Sequence, residues 1–106
     1  MHVTVAHSKS EEDTVKIIDQ SIDSLIHSIP AGSVKIIDPE RTWNGSTMSF
    51  SFKGRKGIFV TTIRGTVAVT DKDVTIDAEI PGIIKTFVSD QKISDAVEAK
   101  AKEILA

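Results

Sequence analysis

The feature that most constrains the fold is a run of alternating apolar and polar residues between Trp43 and Ile80. This period of two is typical of strands with one buried face, because successive side chains point to opposite sides of a strand. Turn-forming residues interrupt the run at Asn44-Gly45, at Lys53–Gly57 and at Asp71–Asp73, so the pattern predicts an antiparallel meander. The residues predicted to face inward are Met48, Phe50, Phe52, Phe59, Ile63, Val67, Val69, Val74, Ile76, Ala78 and Ile80, with Gly65 among them as the sign of a bulge or bend.

Before the meander, the sequence predicts a strand, a helix and a second strand. Residues 2–6 alternate as a short strand, and Ser10 is a candidate N-cap followed by three acidic residues. Apolar residues then recur three and four apart as far as Pro30, which predicts an amphipathic helix over residues 10–29. Val34–Asp38 is predicted to be a strand that ends at Pro39.

After the meander, residues 82–106 return to helical spacing and predict one long helix, or two helices joined near Ser89-Asp90. The predicted order is β-α-β-β-β-β-α. We therefore expect one α+β domain over residues 1–106. In it, a curved antiparallel sheet of four or five strands is covered on its apolar face by the N-terminal helix and the C-terminal helical segment.

Composition excludes several functional classes. The 106 residues carry a formal net charge of −2 with no basic stripe, so nucleic acid is not an expected partner. Cysteine is absent, which excludes disulfides, thiolate metal sites and cysteine nucleophiles. The chain shows no secretory signal, and its apolar runs are too short to span a bilayer. These features predict a cytoplasmic protein without a transmembrane segment.

The titratable residues do not form a pattern typical of catalysis. His2 and His7 lie at either end of the first predicted strand, and His27 lies near the end of the first helix with no second histidine or acid at metal-ligand spacing on that helix. His27 is placed to interact favourably with the helix C-terminus. The acids of the segment 71–79 alternate on an outer face and lack the ligand order of a calcium loop. We therefore expect no catalytic residue, no metal, no cofactor and no enzymatic activity.

Two residues within the meander are candidate ligand contacts. Arg64 lies mid-strand among apolar neighbours, where it would pair with Asp77 or Glu79 on the next strand or meet a ligand carboxylate. Trp43 is the only tryptophan, and we expect it to fill a gap in the core while its indole N–H reaches a carbonyl.

A short segment after the meander contains a concentration of apolar residues. Because a helix turns 100° per residue, these side chains span too wide an arc to enter one shallow core together. At least one or two are expected to remain exposed and to mediate contact with an apolar surface or self-association. The residues are Ile83, Ile84, Phe87 and Val88.

Short motifs are spread over nearly the whole chain. They are His7-Ser8, Ser10-Glu11-Glu12, Trp43-Asn44-Gly45, Met48-Ser49-Phe50, Gly57, Gly65 and Ile80-Pro81 with the apolar helix that follows. In this order they resemble the bacterial family of polyhydroxyalkanoic acid system proteins. The family is associated with polyhydroxyalkanoate storage gene clusters, and the resemblance brings no catalytic residue with it. It implies a polyester granule surface, or a protein attached to a granule, as the partner.

Two functions follow as expectations. The first is a non-enzymatic accessory protein that binds an apolar surface or a partner protein, with a homodimer as a further expectation. The second rests on the order of elements, which is similar to that of the helix-grip lipid- and polyketide-binding folds. It is a small domain with a hydrophobic ligand between the curved sheet and the last helix. A cavity of several hundred Å³ would distinguish the second from the first.

Overall fold

The structure is a computed structural model that describes residues 1–30 and 34–106. The described residues form one antiparallel sheet of five strands in the order β1-β5-β4-β3-β2, as the alternation predicted. The four meander strands are neighbours in chain order, and the first strand joins the far edge beside β5. The strands are β1 (His2–Ala6), β2 (Lys35–Asn44), β3 (Thr47–Lys56), β4 (Phe59–Val69) and β5 (Asp73–Glu79).

The helices are α1 (Glu11–His27), α2 (Gly82–Lys85) and α3 (Asp90–Leu105). Ser10 begins α1, because its side-chain oxygen accepts a hydrogen bond from the amide of Asp13 at 3.1 Å. Ser89 begins α3 in the same way by accepting from the amide of Lys92 at 3.2 Å. The extended backbone at Ser89 separates α3 from α2, so the C-terminal segment forms two helices rather than one.

The core lies between one face of the sheet and the two long helices. Its side chains form one continuous cluster, with aliphatic residues of α1 and α3 packed on the inward residues of the strands. The helical members are Ile18, Ile22, Leu25 and Ile26 of α1, and Ile93, Val97, Ala101 and Leu105 of α3.

The second strand does not end at Pro39 as predicted. Instead β2 continues to Asn44, and its pairing with β3 shifts between Ile37 and Glu40. Asp38 adopts a positive φ of 53° within this irregularity. Since β2 is an edge strand and its ladder is already interrupted here, the missing N–H of Pro39 is tolerated.

Glycine placement explains two further features of the meander. The turn predicted at Lys53–Gly57 is shorter than expected: β3 continues to Lys56, and only Gly57 and Ile58 lie between the paired residues Lys56 and Phe59. Gly57 has a φ of 62°, as does Gly45 in the correctly predicted turn after Asn44.

Gly65 does not form a bulge, because the β3–β4 register runs through it without a shift. A Cβ atom at this position would lie 2.5 Å from Cζ of Phe50 and would also clash with the backbone oxygen of Asp77. Glycine therefore makes room for the Phe50 ring that faces it across the strands.

The two halves of β4 differ in their pairing. β3 pairs with β4 along its whole length from Phe59, whereas β5 pairs only with Arg64–Val69. The chain then leaves the sheet at Ile80 and enters α2. The β3–β4 hairpin consequently extends beyond β5, whereas β2 accompanies β3 as far as Arg55, in a molecule that measures 43 × 24 × 17 Å.

Candidate apolar surface site

The large hydrophobic side chains that the described part of the chain exposes belong to two segments, the β3–β4 turn region and α2 with the residues after it. Their relative exposures run from 46% at Ile83 to 92% at Ile58. We call them the end patch, which consists of Ile58, Phe59, Val60, Ile83 and Phe87.

The hairpin half of the end patch is positioned by the two-residue turn. Gly57 allows the tight reversal that places Ile58 at the tip, and Phe59 and Val60 follow as the first residues of β4. Phe59 was predicted to face the core because its parity matches that of Ile63. Phe59 lies on the predicted face of the sheet, but its side chain is 63% exposed because the hairpin extends past the core cluster.

The helical half is positioned by Ile84, which is buried. Its Cδ1 lies 3.7 Å from the place where a Cβ of Gly54 would be, so α2 packs closely over the β3 backbone. With Ile84 turned inward, Ile83 and Phe87 are four residues apart on the same outer side of this segment. Val88 is half-buried against the core.

Between the two halves lies an open apolar groove of about 140 Å³. The ammonium of Lys56 stands 3.7 Å from the centre of the Phe87 ring, a cation–π contact that connects the hairpin to the segment after α2. Lys56 also lines the groove, which therefore has an apolar floor and a cation at its rim. The lining includes Val34, Gly54, Phe59, Ile83, Ile84 and Phe87.

Of the four apolar residues selected from the sequence, Ile83 and Phe87 are exposed, Ile84 is core and Val88 is intermediate. Sequence reasoning missed Ile58, Phe59 and Val60. The position of Gly57 directly before Ile58 was the available signal, because a two-residue turn leaves its second residue without a covering element.

The two candidate ligand contacts lie outside the end patch. The indole Nε1 of Trp43 donates to Oδ1 of Asp19 at 2.9 Å, and Nε of Arg41 donates to the same oxygen at 2.8 Å. The hydrogen bond from Trp43 is the largest cause that lowers the pKa of Asp19 below its ordinary value, and the charge and hydrogen bond of Arg41 lower it further. Trp43 is thus half-buried and bonds a carboxylate, not the carbonyl that was predicted.

Arg64 is exposed and faces Glu79 across the β4–β5 ladder. Within the described residues, neither Glu79 nor Asp77 forms an ion pair with it, and Asp77 bonds to His2 instead. The predicted ion pair of Arg64 is therefore absent from the described part of the chain, although the register brings Arg64 and Glu79 opposite each other.

The histidines have local structural partners. The amide of Lys9 donates to Nδ1 of His7 at 3.1 Å, so Nε2 carries the proton that it donates to the carbonyl of Thr70 at 2.8 Å. His27 bonds through Nδ1 to the carbonyl of Asp23 at 2.7 Å in the last turn of α1. Across residues 1–30 and 34–106, no three His, Asp or Glu side chains converge as a metal site would require.

Little space lies between the sheet and the helices. Two spaces there, one under α1 and one beside Ile93 of α3, measure about 20 Å³ each. Small-molecule sites commonly occupy about 300–1,000 Å³. In the described residues the sheet–helix interface is therefore a packed core. None of the helices described is both long enough and apolar enough to cross a membrane.

Comparison with known proteins gives one assignment. No curated protein and no solved structure matches the chain. The family model described as Putative polyhydroxyalkanoic acid system protein matches residues 1–105, and the chain therefore belongs to that family.

Proposed function

We propose that this chain is a non-enzymatic accessory protein of the polyhydroxyalkanoate system that binds an apolar surface through the end patch. The observation that carries the proposal is the meeting of the exposed large hydrophobic residues at one end of the molecule. Exposed apolar clusters with polar margins are typical of surfaces that contact a partner. The partner that we propose is the polyester granule, which places the protein at the granule surface in the cytoplasm.

The chemistry of the end patch fits an aliphatic polyester. Ile58, Phe59 and Ile83 offer hydrocarbon surface to the polymer chain, while the ammonium group of Lys56 at the rim can donate hydrogen bonds to ester carbonyls. The net charge of −2 would not by itself favour an anionic surface, so apolar contact is the main source of affinity.

The expected affinity of one copy is modest. Covering a half-exposed large side chain contributes about 1 kcal/mol, so the end patch supplies about 5 kcal/mol before the cost of immobilisation. Such binding is reversible and is strengthened when two copies act together.

The helix-grip alternative lacks a supporting observation, because the spaces of about 20 Å³ between sheet and helices are too small for a lipid or polyketide. An enzymatic role also lacks support, since the histidines bond to backbone or to a neighbouring strand.

The test is co-sedimentation with purified polyester granules. Ile83→Glu with Phe87→Glu places two carboxylates in the end patch and leaves the core residue Ile84 unchanged. We expect at least a tenfold loss of granule binding with unchanged circular dichroism, because each buried carboxylate would lose its hydration.

The matched control is Gln20→Glu with Thr42→Glu, which changes the net charge equally at positions on α1 and β2 away from the end patch. We expect the control to bind granules like the parent protein. Equal binding by all three folded proteins would contradict the proposal, as would equal loss in both variants, which would indicate a general charge effect.

A further inference from the structure

The N-terminal half of β4 has an open edge. β5 pairs with β4 only as far as Arg64, and the chain turns away at Ile80-Pro81. The amide of Thr70 donates to the carbonyl of Asp73 at 2.9 Å, which identifies the even-numbered residues of β4 as those whose backbone groups point toward β5. The N–H and C=O groups of Val60 and Thr62 therefore point to the open side, and among the described residues no backbone partner reaches them.

This edge lacks the features by which proteins protect open strands. Lysine, proline, inward charges and bulges commonly prevent edge-to-edge pairing. The segment from Ile58 to Ile63 carries no charged residue and no proline, and its pairing with β3 is regular. Three of its side chains, Ile58, Phe59 and Val60, are exposed and apolar.

We propose that a second copy of this chain pairs with this edge, β4 against β4 in antiparallel orientation, about a two-fold axis at Thr61. A row of alternating backbone donors and acceptors is complementary to another strand. An antiparallel pair of identical segments is self-complementary, as the interface of a two-fold dimer must be.

The register follows from the positions of the open backbone groups. Val60 faces Thr62 of the second copy, and Thr62 faces Val60 of the second copy, so that each pair exchanges both of its N–H···O bonds. Thr61 then faces Thr61 as a non-hydrogen-bonded pair. In this register the open N–H and C=O groups of both residues acquire partners.

The charges agree with this register. Lys56 and Arg64 flank the segment, and like charges opposite each other would oppose pairing. The two-fold axis at Thr61 confines the pairing to Val60–Thr62, because Glu79 of β5 already occupies this side of β4 at Arg64. No two cations therefore face each other. Ile58, which is 92% exposed, lies in the turn at the margin of this interface and remains available to the granule.

A cysteine pair tests the register, because the chain contains no cysteine of its own. In Thr61→Cys the two Cα atoms would lie about 4.5 Å apart across the axis, within the range for a disulfide. In the matched Thr62→Cys variant they would lie about 8 Å apart, outside that range. We expect mild oxidation to convert Thr61→Cys to a covalent dimer at least tenfold more completely than Thr62→Cys. Equal crosslinking of both, or of neither, would overturn the proposal.

A second test addresses the backbone groups. Val60→Pro removes an N–H that points to the open side and leaves the β3 ladder intact, whereas Val60→Ala retains the N–H. By light scattering after size exclusion, we expect the parent and Val60→Ala at twice the chain mass of 11.5 kDa, and Val60→Pro at 11.5 kDa. A monomeric parent, or a folded Val60→Pro dimer, would overturn the proposal. If Val60→Pro does not fold, the comparison of Thr61→Cys with Thr62→Cys tests the proposal alone.

This inference does not depend on granule binding. The Ile83→Glu, Phe87→Glu protein lacks the granule contact but retains the open edge, so it should remain dimeric. Failure of the dimer and failure of granule binding can therefore be told apart in the same set of proteins.

Discussion

Asp19 is the residue that joins α1 to the edge strand β2. One of its oxygens accepts from both the indole of Trp43 and the guanidinium of Arg41, which lie on β2. Both bonds favour the charged carboxylate, so its pKa in the folded protein is lowered from 3.8. A lowered pKa stabilises the fold above the ordinary carboxyl value, and this contribution is lost as the pH falls through the folded value.

Replacing Trp43 with phenylalanine should reveal this dependence. The substitution removes the largest cause of the lowered pKa of Asp19 and retains most of the aromatic packing. We expect the stability difference between the parent and Trp43→Phe to be largest at neutral pH and to shrink below about pH 4. Urea unfolding at several pH values measures it.

The control for this prediction repeats the comparison in an Asp19→Asn background. There the stability difference between the proteins with and without the Trp43→Phe substitution should not vary with pH over the same range. A parent–variant difference that is independent of pH in both backgrounds would contradict the assigned cause.

Gly65 is the residue that most restricts substitution in the sheet. Its alanine variant would press a Cβ against the Phe50 ring and the Asp77 carbonyl, and overpacking of this kind costs about 1–3 kcal/mol. Gly82 is the matched control, because a Cβ there meets nothing within 4 Å. We expect Gly65→Ala to lower the melting temperature clearly and Gly82→Ala to leave it within a degree or two. Similar melting of both variants would contradict the packing argument.

At the scale of elements, much of the fold follows from local pattern. Period-two alternation predicts β3, β4 and β5, and the capping serines predict where α1 and α3 begin. The prediction that β2 ends at Pro39 was wrong, because an edge strand tolerates a proline that a central strand would not. The bulge suggested at Gly65 was wrong, because the Phe50 ring that needs the space at Gly65 comes from another strand, which no local pattern reveals.

Hydrogen exchange should distinguish the two halves of β4. In the single chain, the amides of Thr66 and Ala68 face β5 and should exchange slowly, whereas those of Val60 and Thr62 have the same parity but face the open edge. We expect Val60 and Thr62 to exchange much faster at low protein concentration and to become protected as dimers form. Uniform protection along β4 at low concentration would contradict this pairing pattern.

At the scale of the whole molecule, the end patch results from unequal lengths. β4 is 11 residues long and β5 is 7, so the β3–β4 hairpin extends past β5, whereas β2 pairs with β3 as far as Arg55. The side of the sheet that each residue faces was predictable from its parity. Whether another element covers that residue was not, because coverage depends on where α1 and α3 lie along the 43 Å axis. This is why Ile83 and Phe87 were selected from the sequence while Ile58 and Phe59 were missed.

The position of β1 has a consequence for synthesis of the chain. Four strands pair with sequence neighbours through short connections, but His2 of β1 pairs with Asp77 of β5, 75 residues later. A growing chain can build each hairpin of the meander as it leaves the ribosome, while the strand made first must wait for the strand made last. The sheet is therefore closed at that edge only after β5 has been made, and α3, the helix that packs on β1, is made later still.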